Sequence, residues 1–365
     1  MKIAILFDQP QLTGLGDYAI RLYKLLSSNN IDVILIYAGA ICDNNDNYTN
    51  KPYIKRTKIW ILRPHIIRRN YRQIIANGDF NDYIFHYLGY YTYPLKLRPG
   101  VLTVHDLMKE NLKDKMRLLK MHKFKESLVS IERNRQIQDT INLSSRALSV
   151  ITVSQKTKNE FKKIVGINSK VIYHWISDKR FRYRTKEEAL TKLKLELTFK
   201  YLLSVGTDRP NKRADLIRRF STYLPENYKL IKIGAPIDSE NVINVGTVDY
   251  NLYPIYFACT EGFLHLSEDE GFGIPIIEAI ASNVPVICRI NDINKELLGD
   301  AALLLNENFN QNDVINIVET LNDVGSLKKI QDSMKERMRM FEPERALSSY
   351  LEVYEKLAMY AETES

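Results

Sequence analysis

Residues 263–287, FLHLSEDEGFGIPIIEAIASNVPVI, constrain the fold more than any other stretch. They read as a short apolar strand, an acidic glycine-rich loop, a helix opened by Pro275 and a second apolar strand. Gly271 and Gly273 permit positive φ and leave backbone N–H groups uncovered. Pro275 suits the first helical turn, where its missing donor is not needed. The loop therefore aims N–H groups and the positive end of a helix dipole at one point, as an anion site requires. Glu270 and Glu278 frame that point. Glu278 interrupts an apolar run of Ile274, Ile276, Ile277, Ala279 and Ile280, so its carboxylate needs donors: ligand hydroxyls, or the N–H groups of the helix start. A capped helix packed on a sheet would share the pattern, but the paired carboxylates favour a binding site.

The run SEDEGFGIPIIEAIASNVPVI resembles the donor-site signature of the retaining glycosyltransferases of family 4, the glycosyl transferases group 1, which have the GT-B fold. That signature carries two glutamates around a Gly-Phe-Gly turn, matched by Glu270, Gly271, Phe272, Gly273, Ile274 and Glu278. Ser282-Asn283 departs from the family's more usual Cys-Gly, past the pocket side of the helix.

The chain of 365 residues has room for two domains, and 45% hydrophobic with 26% charged residues is a globular composition. No apolar run approaches the ~20 residues of a membrane span. MKIAILFDQP meets Asp8 too early for a signal peptide and reads as a strand. The 3 cysteines, Cys42, Cys259 and Cys288, form neither a metal pattern nor a disulfide framework, which suits a reducing cytoplasm.

A net charge of +8 suits nucleic acid, an anionic membrane surface or phosphorylated substrates. Two stretches hold much of it. Residues 54–75 carry Arg68, Arg69 and Arg72 among Ile66, Ile67, Tyr71 and Ile74, and residues 109–125 interleave lysines with Met116, Leu118, Leu119, Met121 and Phe124. Such segments fit an anionic membrane surface or a solvated helix face equally. Nucleic-acid binding is disfavoured, because the chain lacks a recognised module and any aromatic platform beyond Tyr71 and Phe124.

Taken in order, 2–7 reads as a buried strand leading through a glycine loop into an amphipathic helix. Gly14-Leu-Gly16-Asp-Tyr-Ala19 fits the dinucleotide fingerprint, but the second strand, DVILIYAGA, ends without the carboxylate that would hold a ribose. A nicotinamide cofactor is disfavoured. Strands are expected at 83–88 and 101–104, the latter ending in His105-Asp106, and again at 147–153 and 170–173. A helix opens at Ser154, and 174–190 reads as a linker. In the second half, 200–220 gives a strand, a loop with Arg209 and Lys212, and a helix begun near Pro210. Strands follow at 228–233 and 242–246, a helix at 247–258, and two C-terminal helices at 310–338 (with a break) and 343–360. Repeated strand–helix alternation implies two doubly wound parallel sheets.

With the resemblance, these elements imply two Rossmann-like domains facing a cleft: 1–175 on the acceptor side, 176–342 for the nucleotide sugar, and a helix at 343–365 crossing back to the first domain. The implied reaction moves a sugar, expected to be a hexose, from a nucleoside diphosphate to a hydroxyl of a glycan or lipid-linked saccharide, retaining anomeric configuration. The resemblance marks Lys212 as the diphosphate lysine, with Arg209 beside it in place of a more usual acidic residue. It also implies ribose contact by Glu278, sugar contact by Glu270 and His105, and contact of the Gly14 and Gly16 loop with the donor phosphates or the acceptor. No metal or cofactor is required on this reading. A cytoplasmic location is expected, peripheral at the inner face of a membrane if the basic stretches dock there. The competing reading is a GT-B protein that binds nucleotide sugars or membranes without catalysing transfer.

Overall fold

The computed structural model describes residues 1–7, 14–37, 40–42, 69–71, 73, 76, 78–80, 82–88, 100–106, 149–176, 181 and 185–363. The basic stretch 109–125, the helical region expected at 110–146 and most of 54–75 lie outside these residues. The chain divides into two units, Met1–His174 with Glu344–Ser365, and Trp175–Pro343.

In the first unit, β1 (Lys2–Phe7), β2 (Asp32–Tyr37), β4 (Tyr83–Tyr87), β5 (Gly100–Val104), β6 (Ser149–Thr152) and β7 (Lys170–Val171) pair in parallel, in the order β2-β1-β4-β5-β6-β7. Ile3 to Phe7 are fully buried, as a strand covered on both faces demands. The sheet is not wholly parallel: β3 (Ala40–Cys42) turns back antiparallel on β2, with Tyr37 opposite Ala40. The helix α1 (Gly14–Ser27) buries Tyr18, Leu22, Leu25 and Leu26 on one stripe and pairs Asp17 with Arg21 one turn on, at 2.6 Å. Gly14 and Gly16 thus form its first turn rather than a preceding loop. Ser154 caps α2 (Gln155–Val165), its Oγ accepting from the Thr157 N–H at 3.0 Å, and Gly166 ends that helix with φ 77. Tyr71, grouped by sequence with a basic face, is fully buried and donates to the Phe7 carbonyl at 2.6 Å. It belongs to the core and is not available to a membrane surface.

The second unit begins with Trp175, which is buried, as are Ile176 and Phe181, three residues of the expected linker. Thr185 then caps α3 (Lys186–Leu193). Six parallel strands follow in the order β10-β9-β8-β11-β12-β13: β8 (Lys200–Gly206), β9 (Tyr228–Gly234), β10 (Val242–Gly246), β11 (Gly262–His265), β12 (Val286–Arg289) and β13 (Ala302–Leu305). The core between sheet and helices includes Leu202, Phe220, Leu230, Leu264, Ile287 and Val318. The helices are α4 (Ala214–Thr222), α5 (Tyr253–Ala258), α6 (Ile274–Ala281), α7 (Asp292–Leu298), α8 (Gln311–Asn322) and α9 (Val324–Met338). α5 is shorter than the expected 247–258. The Asp249 carboxylate accepts from the Asn251 N–H at 2.7 Å, which makes a local turn, and Pro254 then stands in the first turn of the helix.

The last helix, α10 (Pro343–Thr363), belongs to the first unit from Glu344 onward. Its Tyr350 and Tyr354 are fully buried there. Tyr350 shares a hydroxyl hydrogen bond with Tyr18, and the Tyr354 hydroxyl meets His86 Nδ1 at 2.6 Å while His86 Nε2 meets Thr103 Oγ1 at 2.7 Å. Every polar group in this chain of contacts is satisfied inside the core, the condition for burying it. Among the described residues no helix is long and apolar enough to cross a membrane.

Candidate active site

The carboxyl edge of the second sheet gathers most of the residues singled out by sequence. β8 lies between β9 and β11, so the loops leaving β8 and β11 diverge at that edge. Open parallel sheets bind ligands in the crevice made by such a reversal of strand order. Here a cavity of about 110 Å³ is lined by Ser204, Gly206, Lys212, Lys232, His265 and Ser267, among others.

The loop after β8 is a 3₁₀ turn, Pro210–Lys212, rather than the start of a helix. Arg213 follows in the left-handed region with φ 49, ion-paired to Asp215 at 2.8 Å and Glu307 at 2.6 Å, and α4 begins only after it. Asn211 joins this turn to the loop after β11: its carbonyl accepts from the Glu268 N–H at 2.8 Å, and its Nδ2 donates to the Asp269 carbonyl at 2.9 Å. Beside these contacts the Lys212 ammonium donates to Glu270 Oε1. Burial raises the Glu270 pKa, but the charges of Lys212 and His265 and hydrogen bonds from Lys212 and Ser267 outweigh it, leaving the carboxyl below its usual range. His265, at the end of β11, places Nε2 4.0 Å from the same carboxylate, and burial lowers its pKa to about 4. The imidazole is therefore neutral at pH 7.

Gly273 precedes α6 with φ 99, a conformation that glycine adopts at little cost, and a Cβ there would stand 3.1 Å from Ile276 Cδ1. Phe272 is buried and meets Phe341 edge-on at 6.0 Å between centroids, so its ring anchors the loop in the core. Ile274 opens α6, half-buried. Glu278 is 5% exposed, and its Oε2 accepts a hydrogen bond from the Tyr253 hydroxyl at 2.8 Å. That donor, from the start of α5, adds to the two kinds expected from sequence. Arg209 is exposed and does not line the cavity; its carbonyl accepts from the Lys212 N–H at 2.9 Å, so it contributes backbone to the turn.

The first unit holds the remaining residues. Gly14 is exposed and Gly16 buried at the start of α1. His105 follows β5, with Tyr18 edge-on at 4.7 Å and the His174 ring at 5.6 Å. Burial lowers the His105 pKa to about 3, and its Nε2 is buried without a hydrogen-bond partner among the described residues. Sequence reading did not single out Lys232, His265 or Tyr253. Lys232 and His265 had a signal, each a polar residue inside a strand otherwise apolar on that face, as Glu278 is within its helix.

Residues 185–340 match the model of the family described as Glycosyl transferases group 1. This region contains Lys212, Lys232, Tyr253, His265, Glu270 and Glu278. The chain is 26% identical over 352 residues to O-antigen chain mannosyltransferase B of Escherichia coli, covering 86% of this chain and 88% of that protein. Two solved structures share the fold at 16% identity. Sucrose-phosphate synthase from Thermosynechococcus elongatus superposes with a TM-score of 0.71, over 98% of this chain and 99% of that one. Anabaena HepE, in complex with UDP and glucose, superposes with a TM-score of 0.69, over 98% and 100%. The fold is GT-B, and residues 185–340 are of the Glycosyl transferases group 1 type.

Proposed function

We propose that the protein transfers a hexose from a nucleoside-diphosphate sugar to a hydroxyl of a glycan or lipid-linked saccharide, with retention of anomeric configuration. The observation that carries this reading is the pairing of Lys212, which lines the cavity at the strand-order reversal, with Glu270 in the loop that leads into α6. The Escherichia coli relative's name, an O-antigen mannosyltransferase, favours a hexose and a saccharide acceptor. The UDP and glucose bound to HepE favour a nucleotide-sugar donor.

On this reading Lys212 and the N–H groups at Gly271–Gly273 spread the charge of the leaving diphosphate, and no metal is required. Glu278 accepts from ribose hydroxyls and Glu270 from donor-sugar hydroxyls. The bond from the anomeric carbon to the phosphate oxygen breaks while the acceptor oxygen bonds to the same face. The departing phosphate oxygen takes the acceptor's proton, so neither glutamate serves as a nucleophile. His105, with its neutral ring and an Nε2 that has no partner among the described residues, is the first-unit group assigned to a substrate hydroxyl.

The basic stretches 54–75 and 109–125 are proposed to keep the protein on an anionic membrane surface, which sedimentation with anionic and neutral vesicles tests. The donor assignment is tested by thermal shift with a panel of nucleoside diphosphates and their sugars. A ligand at 100 times its dissociation constant adds about 2.7 kcal/mol of stability. One base should stand out; no shift from any of them refutes the donor assignment.

A further inference from the structure

Lys232 is 2% exposed, in the middle of a sheet, and lines the same cavity as Lys212. Its Nζ donates to the Gly206 carbonyl at 2.7 Å and to the Ile233 carbonyl at 2.8 Å; among the described residues it has no carboxylate partner. An ammonium buried without a counter-ion is costly unless the fold uses it. Three features converge on Gly206. Its carbonyl also accepts from the Ala235 N–H at 3.0 Å, and Gly234, with φ 96, passes so close that a Cβ there would stand 2.3 Å from that oxygen. The side chain of Lys212 packs against the same residue, 3.7 Å from where a Gly206 Cβ would lie. Two lysines thus approach one glycine at the cavity wall, and among the described residues only Glu270 is ion-paired to either of them. His265 beside them is neutral, and the carboxylates near the two lysines are Asp208 on the wall and Glu270 on Lys212, so Lys232 is the cation left without an ion pair among the described residues.

We infer that Lys232 is a second diphosphate-binding cation, acting with Lys212 on the phosphates of a nucleoside diphosphate held in this cavity. The inference rests on the donor reading above and adds a residue to it. A diphosphate brings the counter-charge that Lys232 lacks among the described residues, beside a Lys212 already held at the same cavity. The charge on Lys232 is itself sensitive to occupancy. Burial, and then the neighbouring charge of Lys212, lower its pKa to about 8, and an anion would raise it again. The other groups at the cavity are Asp208 on its wall and Glu270 with His265 beside Lys212.

The experiment is titration calorimetry of the full chain with nucleoside diphosphates at pH 8, in buffers of different ionisation enthalpy, for wild type, Lys232→Met and Lys232→Gln. Met removes the charge at similar volume, and Gln keeps a donor for the Gly206 carbonyl without charge. The expected result is proton uptake on binding by wild type, with at least tenfold weaker binding and no uptake in both variants. Equal affinity in Lys232→Met, or wild-type affinity restored by Gln, overturns the role of the charge while the donor reading stands. A wild-type chain that binds none of the nucleoside diphosphates overturns both.

Discussion

Lys212 is ion-paired to Glu270 across the two loops that leave β8 and β11. The side chains are 22% and 16% exposed, so the pair is screened less than a surface contact. In the proposed reaction each partner has a task of its own, the diphosphate for Lys212 and sugar hydroxyls for Glu270. The donor must therefore exchange their contact for its own charge and hydroxyls. Lys212→Ala is expected to leave Glu270 as a half-satisfied buried carboxylate, lowering stability by about 1–3 kcal/mol. The double variant Lys212→Met with Glu270→Gln should recover most of that loss in urea unfolding, yet remain inactive. Recovery of activity along with stability would show the pair to be purely structural.

Glu278→Gln is expected to keep the fold, because the amide oxygen can still accept from the Tyr253 hydroxyl 2.8 Å away. It weakens acceptance from ribose hydroxyls, since hydrogen bonds to charged groups are worth about 1.5–3 kcal/mol. KM for the donor should rise by roughly tenfold or more. An unchanged KM would remove Glu278 from the ribose.

Gly234→Ala tests the packing beneath the site. The substitution forces a side chain into φ 96 and drives Cβ to 2.3 Å from the Gly206 carbonyl oxygen, so β8 and β9 must separate. The cost of such backbone strain is on the order of 1–3 kcal/mol, and the clash adds to it. A lower urea midpoint is expected, with loss of nucleotide binding; an unchanged midpoint would contradict the close approach.

Much of this arrangement is legible in the sequence, for definite reasons. Continuous apolar runs such as IAILF and YLLSV mark strands buried on both faces. Gly273, at φ 99, and Pro275 locate the loop-to-helix turn because each has one use there. What escaped reading depends on partners far along the chain. His86, in the middle of β4, makes sense only with Tyr354, 268 residues away, and Lys232 only with the Gly206 carbonyl. The 3₁₀ turn at Pro210 was also hidden, because proline in the first turn serves either kind of helix. β3 reverses direction within a short segment of small and apolar residues that gives no direction signal.

The buried histidines set the acid limit of stability. Burial lowers His86, with a further contribution from the charge of His105, to about 3, and lowers His105 likewise to about 3. His174 is driven well below its ordinary value by burial and by the charges of His105 and Arg21. Each folded-state pKa lies below the unfolded value near 6.5, so the unfolded chain binds more protons between the two. The histidines' contribution to stability is therefore complete above about pH 6.5 and falls as pH drops toward 3, by about 1.4 kcal/mol per pH unit for each histidine. Urea midpoints at pH 7 and pH 5 should show the decline, and His86→Gln should reduce its slope. A midpoint independent of pH over that interval would contradict neutral burial.

The most direct test of the account is a transfer assay. The protein is incubated with a nucleoside-diphosphate hexose and a lipid-linked saccharide, and mass spectrometry follows the acceptor. The account predicts an acceptor heavier by one hexose, an equal amount of nucleoside diphosphate released, the anomeric configuration of the donor retained by NMR, and all of these lost in Lys212→Ala. Product that forms equally well in Lys212→Ala would contradict the assigned site, and a product of inverted configuration would contradict the proposed reaction course.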